Sequence, residues 1–215
     1  MNAYKKILYL VSVCLLSTLN TTPVFSQQVF EGSHAVPPLF EGQTRAPLAP
    51  KSARFIVSNF VTGLNRPWAM AHMPNGNMMI TEVPGRIRII TPDGIVSKPI
   101  KGVPKVRAWG SRGLNDIILD PNFDQNRKIY FAYLAPPKGV KSDNSDAKYQ
   151  QFATERAAWN KLTNEQKAKT PWGHWRVVSA ILSKNEKKIS NIKVIVETTP
   201  TRMAFDDTGK LLITT

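Results

Sequence analysis

The stretch "GLNRPWAMAHMPNGNMMITEVPGRIRIITPDG", residues 63–94, decides the fold. Short apolar runs alternate there with two tight-turn signals, Pro74-Asn75-Gly76 and Pro92-Asp93-Gly94. Glycine at the end of a tight reversal supplies the positive φ that other residues resist. Residues 55–61, 68–73, 77–82 and 86–91 read as four successive strands. In the last of them Ile87 and Ile89 alternate with Arg86 and Arg88, which gives one dry face and one wet face.

The rhythm returns further along. Residues 114–119 read as an apolar strand, "DPNFDQNRK" as its turn, and 129–134, 177–182 and 192–197 as three more strands. A third copy begins at Met203. "MAFDDTGKLLITT" aligns with "MAHMPNGNMMITE": Met203 on Met70, Ala204 on Ala71, Gly209 on Gly76, and Ile213-Thr214 on Ile80-Thr81. Four-stranded units repeated along a chain predict an all-β architecture of propeller blades, because radial repetition shields strand edges. The chain ends at Thr215 within the third unit, so the expectation is the N-terminal part of a longer propeller, with two to three blades present.

One insertion, residues 145–170, interrupts the second unit. Tyr149, Phe152 and Trp159 fall on one side at helical spacing, with Arg156 among them. Thr163-Asn164-Glu165-Gln166 has the form of a capping box. Two short helices are expected, ended near Pro171, with their aromatics docked on the blade.

The 215 residues carry a formal net charge of +14. Lys5 and Lys6, the apolar run 7–16 and Val24-Phe25-Ser26 predict a secretory signal peptide, residues 1–26, cut after Ser26. The run is too short for an ordinary membrane span. The single cysteine, Cys14, lies inside it, and Val13 is not the small residue that a lipoprotein signal needs. The mature chain then has no disulfide, and its charge falls from +14 to +12. Such a balance favours anionic partners, although the basic residues are scattered as on an ordinary solvated surface. No nucleic-acid module is recognisable. Residues 27–52, rich in Pro, Gly and Ala, read as a flexible leader, with His34 solvated in it. The domain reading is therefore signal peptide 1–26, leader 27–52 and propeller 53–215, exported to the periplasm or secreted.

These motifs resemble the pyrroloquinoline quinone (PQQ)-dependent sugar dehydrogenases, the glucose/sorbosone dehydrogenase family. "GLNRPWAMAHMPNGNMMITEVPGRIRII" is similar to the family's opening "GL..PW..AFLPDG..LVTER.GR..", and "GLNDIILDPNFDQNRKIYFAYLAPP" to "GLLD.ALHPDF..N..VY..Y". "RVVSAILSKNEKKISNIKVIVE" and "TRMAFDDTGKLLITT" resemble the following strand pair and "GRL.F.PDG.L.VTT". The resemblance implies a six-bladed propeller with PQQ at one end of its axis and a calcium ion beside the quinone. It implies a histidine base at the sugar C1 hydroxyl, hydride transfer to the quinone, and an external electron acceptor. PQQ is a tricarboxylate, so its site calls for arginine or lysine donors. The cofactor supplies the redox chemistry, while protein groups orient it and take up a proton.

Two positions depart from the family. Its histidine, in "HxGGR", falls on Thr198, with the arginine on Arg202. A glutamine of its "GQGGLL" falls on Ser111, beside Arg112. Ser111, Arg112 and Arg202 are the expected cofactor contacts. His174, in "PWGHWR", is the candidate replacement base, against the plainer reading of a rim histidine packed by Trp172 and Trp175. His72 reads as structural, and Trp68 as a blade-packing aromatic. Glu82 and Arg86 flank a tight turn and read as a surface ion pair. Asp120, Asp124 and Asn126 lack the EF-hand spacing and its terminal glutamate, so they read as a turn rather than a metal loop. No phosphate loop, zinc spacing or nucleophile elbow is present. The alternative function is a non-catalytic propeller that binds carbohydrate or another anion. A lactonase-like hydrolase would need a cage of acidic residues and histidine that does not appear.

Overall fold

Three antiparallel sheets follow one another along the chain in the computed structural model, which describes residues 56–215. The first holds β1 (Pro67–His72), β2 (Met78–Glu82) and β3 (Arg86–Ile90) in that order. The second holds β4 (Leu114–Leu119), β5 (Lys128–Ala135), β6 (His174–Leu182) and β7 (Ile189–Val196), again in chain order. The third is the hairpin of β8 (Arg202–Phe205) and β9 (Leu211–Thr214). Helix α1 (Phe123–Asn126) is a single turn between β4 and β5, where the sequence suggests only a loop. The predicted signal peptide and leader, with Cys14 and His34, lie outside the described residues.

The sequence repeat is also a repeat of register. Met70 pairs with Ile80 and Ala71 with Met79; Met203 pairs with Ile213 and Ala204 with Leu212. The turns match too. Gly76 and Gly209 have φ near +80° (84° and 79°), and their amides close onto the carbonyls of Met73 and Asp206 at 2.9 Å. Only glycine enters that left-handed region without strain. A meander of this kind packs face to face. Met79, Ile87, Leu114, Ile117, Phe131, Val178 and Ile189 bury one continuous core from the first two sheets. A second, smaller cluster packs Met203 of the third sheet against Ala132 and Val177 of the second. The sheets are blades of a β-propeller, with β1, β4 and β8 as their first strands.

The first blade corrects one expectation. Residues 56–61 form no strand; their backbone passes the turn at Gly94, where a Cβ would lie 3.2 Å from the Phe60 carbonyl oxygen. The edge beside β3 is taken by residues 95–100 instead. Ser97 N donates to Ile89 O at 2.8 Å, and Ile100 N to Ile87 O at 2.9 Å. The pairing stays irregular because Ile89 N donates to Ser97 Oγ rather than to a carbonyl. The Ser97 carbonyl is taken by Arg88 Nε at 2.7 Å. Pro99 has no N–H to offer.

Both complete inner strands carry a register irregularity, between Pro67 and Met70 in β1 and between Leu114 and Ile117 in β4. Such bulges bend a strand and re-aim its side chains. The polar groups released there are used between blades. Thr81 Oγ1 accepts from Ala69 N at 3.1 Å and donates to the Asn115 carbonyl at 2.7 Å, so it joins β1, β2 and β4.

The insertion forms α2 (Asp146–Asn160) and α3 (Asn164–Lys169). Ser145 Oγ caps α2 by accepting from Lys148 N. The capping box of α3 is complete: Thr163 Oγ1 accepts from Gln166 N, and Gln166 Oε1 accepts from Thr163 N at 2.9 Å. Tyr149 and Phe152 are buried, and Phe152 packs with Leu134 and Trp172.

Candidate functional site

The starts of the inner strands lie at one end of the blades. Val83 N donates to Arg66 O at 3.0 Å, and Leu114 N donates to Val83 O at 3.1 Å. These bonds set the entry to β1, the exit from β2 and the entry to β4 at one level. The entry to β8 joins them through Arg202. Its Nη1 lies 3.2 Å from Asp116 Oδ1 on β4, and its guanidinium carbon lies 4.7 Å from the Trp68 ring centre on β1. Asp116 Oδ2 also accepts from Met203 N at 2.6 Å. Trp68 thus does more than pack: it meets the arginine predicted as a cofactor contact.

Ser111 and Arg112 sit at the same end, in the turn that feeds β4. The turn is closed by Trp109 N to Arg112 O at 2.8 Å and Arg112 N to Trp109 O at 2.9 Å. Both residues are exposed. The base of the turn is fixed from below. Asn115 donates its amide to the Ser111 carbonyl at 3.2 Å and accepts from Gly113 N at 2.9 Å. A Cβ on Gly113 would collide with the Val83 carbonyl and the Ala108 methyl.

The insertion closes over this turn. Asp146 at the start of α2 accepts from Asn65 Nδ2 at 2.7 Å and pairs with Arg86 Nη1 at 3.0 Å. Arg66 lies over the Tyr149 ring at 4.7 Å, and Tyr149 Oη donates to Gly110 O at 2.9 Å. Asn144 donates to the Gly85 and Pro104 carbonyls and accepts from Val106 N. The helix therefore spans from the first blade to the second at the end where Ser111, Arg112 and Arg202 lie.

Beyond the turn, three arginines gather around tryptophans. Arg107 stacks 3.8 Å from the Trp172 ring centre, and Arg112 lies 4.6 Å from that of Trp109. Arg156 lies 4.1 Å from Trp109 and 4.0 Å from Trp159. Burial pulls the Arg107 guanidinium below its ordinary pKa, opposed by Glu155 at 2.9 Å. Arg156 is pulled down by burial and then by the like charges of Arg112 and Arg107. A cavity of about 300 Å3 opens beside Arg107, walled by Trp159, Trp172 and Pro137. Of this cluster the sequence marks Arg112, Arg156, Trp159 and Trp172, each for a separate reason; Arg107 and Trp109 go unmarked, and nothing in the spacing brings these distant segments together.

The remaining expected residues are elsewhere. His174 opens β6, opposite Ala135, on the third strand of its sheet counted from β4, and its side chain is exposed. Thr198 lies in the connection between β7 and β8. His72 ends β1 and is exposed. Glu82 corrects a second expectation. Its side chain is 0% exposed and accepts from Asn65 N at 2.6 Å and from Arg86 Nε at 2.7 Å, so the pair is a buried hub. Asp120 holds the turn before β5: Asn122 N and Asn126 Nδ2 donate to one carboxylate oxygen and Tyr130 Oη to the other. Among the described residues no three His, Cys, Asp or Glu cluster as a metal site would need. No helix among them is long and apolar enough to cross a membrane.

Against this geometry, the glucose/sorbosone dehydrogenase model matches residues 64–215, the whole of the three sheets. The chain belongs to the glucose/sorbosone dehydrogenase family. An aldose sugar dehydrogenase of Escherichia coli, YliI, is 42% identical over 71 residues, which cover 33% of this chain and 19% of that protein. An uncharacterized protein of Synechocystis, slr1608, is 43% identical over 82 residues, 34% of this chain and 20% of that one. The crystal structure of the soluble E. coli aldose sugar dehydrogenase in its apo-form superposes with a TM-score of 0.50 at 26% identity, over 70% of this chain and 37% of that chain. A glucose dehydrogenase structure gives 0.51 at 28%, over 70% and 38%. The matched segment is thus about a fifth of the curated relatives and under two-fifths of these solved chains.

Proposed function

We propose that the complete protein is an exported, six-bladed quinoprotein that oxidises an aldose or related sugar at C1 and passes two electrons to an external acceptor. The observation that carries this reading is family membership across residues 64–215, joined to arginines at the blade end where the resemblance puts the quinone. Arg112 and Arg202 are exposed there, and Arg112 has no carboxylate partner among the described residues. A polyanionic cofactor suits such a site. PQQ, when bound, would supply the hydride acceptor. The C1–H bond would break toward it, the C1 hydroxyl proton would go to a base, and an aldose would leave as its lactone.

In this chain Ser111 would donate a hydrogen bond, Arg112 would pair with a cofactor carboxylate, and Arg202 would stay aligned through Asp116. Calcium, if the family's ion is used, would draw its ligands from outside the described cluster of residues, since Asp116 and Asp120 are engaged by protein donors. His174 is the candidate base because Thr198 stands at the family's histidine position. Its place on the third strand of the sheet favours the rim role over that one.

Thr198 and Ser111 favour a second reading, a propeller that binds a sugar or anion without turnover. The test is reconstitution of the complete protein with PQQ and calcium, followed by dye reduction with a panel of aldoses. Turnover supports the dehydrogenase. Tight quinone binding without turnover supports the binding role, and no quinone binding at all removes the dehydrogenase reading. His174→Ala with unchanged turnover removes the histidine from the chemistry.

A further inference from the structure

We propose that the helical insertion supplies a carboxylate site of its own, in which Arg156 of α2 acts together with Arg112 of the turn before β4. The two guanidiniums approach the same indole, Trp109, at 4.1 and 4.6 Å. Charge around that indole is unbalanced. Two arginines contact it, a third, Arg107, stacks on the neighbouring Trp172, and the one carboxylate among the three, Glu155, is spent on Arg107 at 2.9 Å. Among the described residues neither Arg112 nor Arg156 has a carboxylate oxygen within 4.0 Å.

Packing does not supply the missing partner. Arg156 Nε and Trp109 Nε1 are buried with no hydrogen bond. The rings return part of the lost hydration through cation–π attraction, but rings accept no in-plane hydrogen bond. An unpaired guanidinium at a half-buried place is costly, and a planar carboxylate meets its fork geometry directly. The site is also held in place for a ligand. Tyr149 of the same helix donates to Gly110 O at 2.9 Å, which ties α2 to the turn that carries Arg112.

The ligand class is an organic carboxylate, whose two oxygens match the donors of the two guanidiniums. It is either a carboxylate of the bound quinone, in which case the inference rests on the proposed function, or a free acid such as a sugar acid. Binding is read on the complete protein by tryptophan fluorescence and calorimetry, with PQQ, gluconate and neutral glucose as probes, in wild type, R156Q and R156K. The expected result is about 10- to 100-fold weaker PQQ binding in R156Q, the loss of a hydrogen bond to a charged group, with partial recovery in R156K. Glucose binding stays unchanged, and both variants keep a cooperative melting transition, which shows that they are folded. If wild type ignores PQQ but binds gluconate through Arg156, the carboxylate site stands and the quinone function falls. If R156Q binds PQQ and gluconate as wild type does, or wild type binds neither, the proposal is overturned.

Discussion

Asp116 on β4 holds Arg202 and the backbone of Met203 at once, with Oδ1 at 3.2 Å from Arg202 Nη1 and Oδ2 at 2.6 Å from Met203 N. One carboxylate therefore seats the third blade on the second. The two partners differ in surroundings: the Asp116 side chain is 6% exposed and that of Arg202 63%. Asp116→Ala would strand a buried N–H and is expected to cost about 2–4 kcal/mol. Arg202→Ala removes a mostly exposed charge with its contacts to Asp116 and Trp68, leaves the Asp116–Met203 bond in place, and is expected to cost about 1 kcal/mol. Urea unfolding of the complete protein compares them. Equal losses would show that the salt bridge, not the Asp116–Met203 bond, joins the blades.

Glu82 makes a sharper case. It is buried, fixes the entry to β1 through Asn65 N, and holds Arg86, which in turn reaches Asp146 on α2. Glu82→Ala leaves Arg86 without its buried partner and frees the Asn65 amide. The expected loss is about 3–5 kcal/mol. Hydrogen exchange should also rise at Asn65 and Val83 before other parts of the first blade open. A loss below about 1 kcal/mol would mean that solvent satisfies this carboxylate, as at a surface pair.

The blades were legible because their signal is local. Alternation in Arg86–Ile90 and the Gly76 and Gly209 turns need only neighbours, and so does the Thr163–Gln166 box. What the sequence hid depends on partners far along the chain. Glu82 looks like a surface charge until Asn65 and Arg86 are seen to converge on it. Residues 56–61 are as apolar as a strand, yet the edge they would have joined belongs to 95–100, whose Ser97 and Pro99 give no strand pattern. The arginine–tryptophan cluster draws on Arg107, Trp109, Arg156 and Trp172, and no spacing rule links them. Resemblance marked Ser111, Arg112 and Arg202, but not the helix that covers the turn.

Gly113 tests how closely that turn is built. Its α-carbon faces the Val83 carbonyl and the Ala108 methyl, with no room for a side chain. Gly113→Ala must push the turn away from β2 and lengthen the Leu114 N to Val83 O bond. Overpacking of this kind costs about 1–3 kcal/mol. Gly110→Ala, with nothing near its α-carbon, is the paired control, although its φ of 54° adds some strain. Ligand binding should fall with Gly113→Ala even where the protein stays folded, because Ser111 and Arg112 shift with it. Unchanged binding would place the ligand away from this turn.

The acid limb of stability should report Asp120. Burial pushes its carboxyl up, but the donors Asn126, Asn122 and Tyr130, with Lys128 nearby, outweigh burial and hold it below the ordinary aspartate range. A carboxyl depressed in the folded state binds its proton more readily in the unfolded chain. Its contribution is therefore complete above the unfolded value, about pH 4, and is lost as pH falls through the folded value. Asp120→Asn keeps the shape and removes the titration. The variant should be less stable at neutral pH, and the gap should narrow as pH falls below about 4. Urea midpoints of both proteins between neutral and acid pH measure it. A gap that stays constant with pH would assign the loss to packing of the turn before β5 and not to the charge of Asp120.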